Sequence, residues 1–240
     1  MPDKEAFLTE ASDSMFAWRH QHSHITPLLA AYIHGNAYSF VFPWEESDLL
    51  SFWRTHSDHN SRTSYSGIST QLHGLTSALE SLHSQGLVHR DIKPTNILRY
   101  KDSKGVNNFG VLRLHDFGLS TCPPRRGRYY RPHRAIHEGG TRQYAAPERE
   151  LGKQAISAAD VWSMGCVFVE TVTWMLYGWA GVVELRRLIG DDPLYELGGP
   201  EHIPSLRLLI RQVSAEICPS VAGHHNSHIL MSLKVDLWSP

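Results

Sequence analysis

The spacing of apolar residues in the first part of the chain predicts a helix followed by a β-hairpin. Residues 5–20 repeat apolar side chains at helical spacing. Two short apolar runs follow, at 28–33 and 38–42, and the residues between them, His34-Gly35-Asn36, have turn chemistry. The predicted buried face of the helix consists of Phe7, Leu8, Met15, Phe16 and Trp18.

After the hairpin, the apolar residues are again spaced as in a helix. Asp48 precedes a short helix that is predicted from about Leu49, and the polar residues 57–66 predict a loop. A helix of roughly four turns follows, with Gly86 as its C-cap. Its apolar face has spacings of four and three residues and consists of Ile68, Leu72, Leu75, Leu79 and Leu82.

Polar groups of three different kinds are concentrated in the next stretch, His89 to Asn96, which lies between apolar runs. Asp91 can accept a proton, Lys93 can neutralise a phosphate, and Asn96 can offer a carbonyl oxygen to a hard cation. Two strands are predicted after it, at 97–100 and 111–114. Asp116 follows the end of the second strand, where a carboxylate beside a glycine can reach a metal held between phosphates.

The composition of the chain indicates a globular protein and excludes several other classes of protein. Hydrophobic residues make up 41% and charged residues 20%, so the chain can bury a core, and a net charge of -1 gives no reason to expect nucleic acid or a membrane surface. Cys122, Cys166 and Cys218 are far apart and form no C-x-x-C pair, and the charged N-terminus lacks the apolar core of a signal peptide. These features predict an intracellular protein, cytoplasmic or nuclear.

One long apolar run, 161–183, has the length of a membrane span. It carries Glu170 near its middle, and no basic flank follows the positive-inside pattern. We therefore expect a buried core helix.

Three motifs together resemble the eukaryotic-type protein kinases. His89-Arg90-Asp91-Ile92-Lys93-Pro94-Thr95-Asn96 is similar to their catalytic loop, H-R-D-x-x-x-x-N, position for position. Lys93 is the form seen in the serine/threonine type. The D-F-G element is matched by Asp116, Phe117 and Gly118, and Gly140 to Glu148 resembles the signature G-T-x-x-Y-x-A-P-E. The resemblance covers about residues 5–188 and is densest from 86 to 170.

The resemblance implies an α+β, protein-kinase-like fold. Residues 1–43 would be a partial β-rich N-lobe, made of an αC-like helix and a hairpin corresponding to strands β4 and β5 of the family. Residues 44–240 would be a mostly helical C-lobe, incomplete at its end.

The resemblance also implies the chemistry of the site, with ATP and Mg²⁺ as cofactors. Asp91 would orient the acceptor hydroxyl of a protein substrate, and Lys93 would balance charge on the transferred phosphoryl group. Asn96 and Asp116 would hold the magnesium ion. The adenine would lie in front of Phe42, against the backbone of Pro43, Trp44 and Glu45.

The remaining motif residues would seat and regulate the protein substrate. The activation segment would run from Asp116 to Glu148, with Thr141 touching Asp91 and Lys93. Arg90 would receive a phosphorylated residue of this segment, for which Thr121, Tyr129 and Tyr130 stay open. Asp160 is structural in two compatible ways, as part of a capping box that begins at Ser157 and, by the resemblance, as the residue that ties the αF helix to the catalytic loop.

The segments with which a kinase binds the phosphates of ATP in its N-lobe are not found before residue 5. There is no Gly-rich loop and no V-A-I-K lysine, so the αC glutamate, for which Glu10 and Asp13 are candidates, would have nothing to pair with. Three readings stay open. The first is a serine/threonine kinase that acts on a protein substrate and can bind a regulatory protein partner. The second is a pseudokinase that binds proteins without catalysis. The third is a fragment that does not fold alone.

Overall fold

The computed structural model describes residues 4–19, 21–56, 65–102, 109–121, 140–146 and 157–189. Four helices are described, and their bounds are α1 Lys4–Trp18, α2 Leu49–Thr55, α3 Tyr65–Ser84 and α4 Ser157–Ile189. Five strands are described: β1 Ala30–His34, β2 Ala37–Val41, β3 Ser47–Asp48, β4 Ile97–Tyr100 and β5 Val111–Leu114. This mixture of helix and sheet confirms the predicted α+β class.

Strands β1 and β2 form the predicted hairpin. They are antiparallel, with Ala30 opposite Val41 and His34 opposite Ala37. The turn between them places Gly35 at a φ of 57°, in the left-handed region that a residue without a Cβ adopts at little cost. The hairpin prediction is confirmed.

Helix α1 packs through a face that matches the predicted one only in part, because Phe7 and Phe16 are buried as expected and Leu8 and Met15 are not. The ring of Phe7 lies 4.9 Å from Tyr38 and 4.8 Å from Phe40 between centroids. Leu8 and Met15 are 50% and 65% exposed, so their assignment to the buried face is wrong. The rotation of the helix is set by the aromatic contacts of Phe7 and by two buried polar residues, Asp13 and Ser14, which occupy the inner face in their place.

A three-stranded antiparallel sheet, in the order β3-β4-β5, carries the polar loops of interest. Ser47 pairs with Arg99, and Ile97 pairs with Leu114. The side chain of Asp48 caps α2 by accepting a hydrogen bond from the Ser51 N–H at 2.9 Å. The sheet therefore fixes the starts of both α2 and β4.

Helix α3 supports this sheet from beneath. Gln71 Oε1 accepts a hydrogen bond from the backbone N–H of Leu112 in β5, at 3.0 Å. Gly86 has a φ of 79°, and its N–H donates to the His83 carbonyl at 2.8 Å, as expected of the predicted C-cap. The predicted helix is confirmed, and four of its five predicted core residues are buried: Ile68, Leu75, Leu79 and Leu82.

Helix α4 contributes the opposite wall of the core. Its buried residues share one cluster with α2, α3 and β5, and Trp174 donates a hydrogen bond from Nε1 to the His56 carbonyl at 3.1 Å. Within the described ranges, Ser157–Arg187 is the one helix with the length and composition of a membrane span. The helical geometry is broken at Gly178, with φ 63° and ψ -162°. Its packing agrees with the core helix predicted over 161–183.

Candidate active site

The catalytic-loop motif begins on a buried anchor. Val88 exchanges two backbone hydrogen bonds of 2.9 Å with Thr121. His89 is fully buried, its Nε2 donates to the His115 carbonyl at 3.1 Å, and its ring lies 5.0 Å from the ring of Phe117. The loop and the Asp116 turn are therefore held together by the histidine between them.

Asp160 of α4 holds the backbone of the same loop. Its two carboxylate oxygens accept hydrogen bonds of 2.8 Å from the N–H groups of His89 and Arg90, and His83 Nε2 lies 2.8 Å from Oδ2. Arg90 has a φ of 72°, which is unfavourable for a side chain with a Cβ. Two charge-assisted hydrogen bonds stabilise this turn. Asp160 thus makes the contact that the resemblance implied.

The carboxylate of Asp91 is bonded from four directions. Oδ2 accepts hydrogen bonds from Lys93 Nζ at 2.7 Å and from Asn96 Nδ2 at 3.0 Å. Oδ1 accepts from the backbone N–H of Thr141 at 3.0 Å and from its hydroxyl at 3.4 Å. Asp91 is only 8% exposed. The structure thus brings four of the predicted site residues together around one oriented carboxylate.

Asn96 and Asp116 are joined through the backbone. The N–H of His115 donates to the Asn96 carbonyl at 2.9 Å. Because Asn96 Nδ2 also donates to the Asp91 carbonyl at 2.9 Å, its amide is oriented with Oδ1 as the remaining polar atom. Asp116 has a φ of 66° and accepts one hydrogen bond on Oδ1, from the Gly118 N–H at 3.2 Å. Both side chains retain an oxygen suited to a hard cation.

Of the two acidic candidates on α1, Glu10 is the one beside this turn. A Cβ placed on Gly118 would lie 3.2 Å from both Glu10 Oε2 and Asp116 Oδ1. Burial, and then the negative charge of Asp116, raise the pKa of Glu10 above its usual value. Asp13 instead accepts a hydrogen bond from the Ser120 hydroxyl at 3.1 Å.

The predicted adenine segment lies between β2 and β3. The ring of Phe42 meets His115 edge-on, at 4.5 Å between centroids. Trp44 is 93% exposed. The end of the segment is fixed where the Glu46 N–H donates to the Arg99 carbonyl at 2.9 Å and Arg99 forms an ion pair of 2.6 Å with Glu46.

The sequence analysis did not identify His115 as part of the site, although the structure places it against Phe42 and His89. Its position directly before the Asp116 turn is a sequence feature that could have identified it. Burial lowers the pKa of its imidazole, which Asp116 only partly offsets.

A second missed group lies behind the substrate-seating segment. The Tyr144 hydroxyl donates to Glu170 Oε2 at 2.8 Å. Arg186 contacts both, from Nε to Glu170 Oε1 at 2.6 Å and from Nη2 to the Tyr144 oxygen at 2.9 Å. Burial and the charge of Glu170 raise the pKa of the tyrosine hydroxyl, so it stays a hydrogen-bond donor. The available signal was Glu170, the only charge in an apolar run.

Part of the predicted activation segment lies outside the described residues. This is true of Glu148, Tyr129 and Tyr130. Thr121 is described in its pairing with Val88. Arg90 Nη1 lies 3.4 Å from the Leu119 carbonyl, so its guanidinium points along the start of this segment.

Residues 4–180 match the family model of the protein kinase domain, and the chain therefore belongs to the protein kinase family. The predicted resemblance, including its eukaryotic serine/threonine type, is confirmed. Cyclin-dependent kinase D-1 of Arabidopsis thaliana is 34% identical over 151 residues, which cover 62% of this chain and 34% of that protein. Cyclin-dependent kinase 2 of Caenorhabditis elegans is 33% identical over 151 residues, covering 62% and 38%.

Another relative has serine/threonine kinase in its name. Serine/threonine kinase NLK of C. elegans is 36% identical over 115 residues, which cover 47% of this chain and 16% of that kinase. The chain thus spans well under half the length of these curated relatives.

Proposed function

We propose that this protein transfers the γ-phosphate of ATP to a serine or threonine hydroxyl of a protein substrate. The observation that carries the proposal is the Asp91 carboxylate, which Lys93, Asn96 and Thr141 orient together. Phosphoryl transfer depends chiefly on positioning and on neutralising charge. A carboxylate fixed in this way can accept a hydrogen bond from an incoming hydroxyl and later take its proton.

The other residues of the site have complementary roles. The Lys93 ammonium, 2.7 Å from Asp91, would neutralise negative charge on the transferred group. Thr141 supports a serine or threonine acceptor, because it joins the substrate-seating segment directly to Asp91. The segment from Phe42 to Glu45 would receive the adenine.

The donor set fits magnesium. Among the described residues no group of three or more His, Cys, Asp or Glu could hold a metal alone. Magnesium commonly takes one or two carboxylates together with substrate phosphates and water, which matches Asp116 with Asn96. Bound there, the ion would neutralise phosphate charge.

A regulatory protein partner and an intracellular location belong to the same proposal. Two relatives are named cyclin-dependent kinases, and those names describe kinases that act with a protein partner. On α1 the exposed side chains of Leu8 and Met15 offer an apolar surface to such a partner. A free, buried Cys166 agrees with a reducing compartment.

A non-catalytic protein-binding module is the second candidate. It is favoured by Glu10, which lies beside Asp116 so that two carboxylates share one small region. Within the described residues, the influences that shift the pKa of Glu10 are burial and Asp116, and both raise it. The positive charge of a lysine paired with Glu10 would instead lower the pKa of Glu10.

Transfer of radiolabelled γ-phosphate to a mixed serine/threonine peptide library tests the function. Wild type is compared with Asp91→Asn, which keeps the size of the side chain and removes its charge. We expect turnover to fall by on the order of 10²–10⁴ in the variant, the range for a lost general base. Equal incorporation by the two proteins would contradict the role proposed for Asp91, and no incorporation by wild type would favour the binding module.

A further inference from the structure

Helix α4 turns sharply, and the turn brings Arg186 back to Glu170 and Tyr144, behind the active site. Glu170 and Arg186 are sixteen residues apart, and a straight helix would separate them by about 24 Å along its axis. Their side chains nevertheless meet at 2.6 Å. The turn occurs at Gly178, whose φ of 63° and ψ of -162° are adopted almost solely by glycine. The contact therefore depends on this break in the helix.

The residues that Arg186 touches lead directly to Asp91. Its guanidinium bonds to the Tyr144 hydroxyl, and the Tyr144 N–H donates to the Thr141 carbonyl at 3.1 Å. Thr141 in turn donates its N–H to Asp91 Oδ1 at 3.0 Å. Arg186, Tyr144 and Thr141 thus connect the far end of α4 to the Asp91 carboxylate at the centre of the site.

Burial makes the ion pair between Glu170 and Arg186 costly to break. Glu170 is 4% exposed at its side chain and Arg186 is 23% exposed. A buried carboxylate that lost its cation would leave an unpaired charge, which is strongly unfavourable. The guanidinium also binds two different oxygens with two different nitrogens, a geometry that a lysine ammonium does not reproduce.

We propose that Arg186 is a positioning residue, which holds residues 140–146 through Glu170 and Tyr144 so that Thr141 stays against Asp91. The proposal rests on the function proposed above for Asp91. It goes beyond the family match, which ends at residue 180. Its consequence is that binding of the protein substrate depends on a part of the chain outside that match.

The neighbouring arginine supplies a matched control. Arg187 forms its ion pair with Glu184 at 2.7 Å on the surface of α4, where the two side chains are 67% and 56% exposed. Arg186→Ala and Arg187→Ala remove the same side chain from adjacent positions. Tyr144→Phe removes only the hydroxyl and leaves the Glu170–Arg186 pair in place, so it stays informative if Arg186→Ala does not fold.

Amide hydrogen exchange at single-residue resolution gives a readout that does not need activity. The Thr141 amide reports on the proposed coupling, and the Arg90 amide, bonded to Asp160, reports on the same site through a different anchor. We expect exchange at Thr141 to accelerate about tenfold relative to Arg90 in Arg186→Ala and Tyr144→Phe, because in each variant position 144 loses a hydrogen bond to a charged partner, Arg186 in the first and both Arg186 and Glu170 in the second. Arg187→Ala should match wild type. Equal acceleration of both amides, or of neither, would overturn the proposal.

Kinetics separate this inference from the proposed function. In Arg186→Ala the KM for the peptide should rise about tenfold while the KM for ATP stays unchanged, and Arg186→Lys should restore part of the loss. A rise in the KM for ATP alone, or full rescue by lysine, would contradict the proposed role. If wild type transfers no phosphate, the proposed function fails, and the exchange of Thr141 still decides whether Arg186 positions this segment.

Discussion

At the scale of single residues, the site is organised by carboxylates that are buried and held by several hydrogen bonds. Asp91, Asp160 and Glu170 are 8%, 1% and 3% exposed. Each one accepts hydrogen bonds from residues that are distant in the sequence. A buried charge is stable only when it is paired and hydrogen-bonded. These three positions therefore fix how the loops meet, which apolar packing alone does not specify.

We expect His24 to make the unfolding free energy of the protein depend on pH. Its Nδ1 donates to the Leu112 carbonyl at 2.7 Å, and its ring lies against Gly74 of α3. Burial lowers its pKa below the usual value, the hydrogen bond to Leu112 partly offsets this, and the nearby groups His22, Arg113 and His73 lower it further. As the pH falls below about 6.5, the unfolded chain binds a proton that the folded chain resists. Stability is therefore complete above that pH and decreases below it.

Urea unfolding at pH 7.5, 6.5 and 5.5 measures this effect. His24 can contribute at most about 1.4 kcal/mol per pH unit to the decrease in unfolding free energy. His24→Asn keeps a donor near the position of Nδ1 and removes the titration, so its decrease over the same range should be smaller. Parallel curves for wild type and variant would show that His24 does not cause the dependence.

At the scale of elements, the close approach of α3 to the segment before β1 leaves no room for a methyl group at Gly74. A Cβ at this position would overlap the imidazole of His24, which its hydrogen bond to Leu112 holds in place. Gly74→Ala should therefore lower the unfolding free energy by about 1–3 kcal/mol, the usual cost of overpacking, although alanine favours helix.

Gly165 in α4 is the matched control for Gly74. Nothing lies within 4 Å of the position where its Cβ would stand. Gly165→Ala should raise the unfolding free energy by up to about 1 kcal/mol, the difference in helix propensity. Guanidinium unfolding of the two variants should thus give shifts of opposite sign. A stabilised Gly74→Ala variant would mean that His24 moves aside without cost.

At the scale of the whole molecule, the sequence was most informative where chemistry and local structure coincide. Asp91, Lys93 and Asn96 are close in sequence, so one short loop brings them together. The capped helices and the hairpin followed from apolar spacing and turn residues. The rotation of α1 was not predictable in this way, since it depends on Phe7 meeting a hairpin and on Asp13 meeting Ser120.

Contacts between distant residues explain the other omissions. Phe42 meets His115 across 73 positions, and Arg186 meets Tyr144 across 42. No local pattern encodes such a pair. The lone charge of Glu170 indicated that a partner should exist, but the turn at Gly178 that supplies this partner is visible only in three dimensions.

In the proposed function, the catalytic loop and the Asp116 turn together form one magnesium–nucleotide site. The most direct measurement is the thermal unfolding midpoint with and without ATP, in magnesium and in EDTA, for wild type and Asp116→Ala. Ligand at a hundred times its Kd stabilises the folded state by about 2.7 kcal/mol. We predict a rise of several degrees that requires both magnesium and Asp116. A cooperative transition that ATP leaves unchanged in magnesium, or shifts equally in the variant, would contradict the claim.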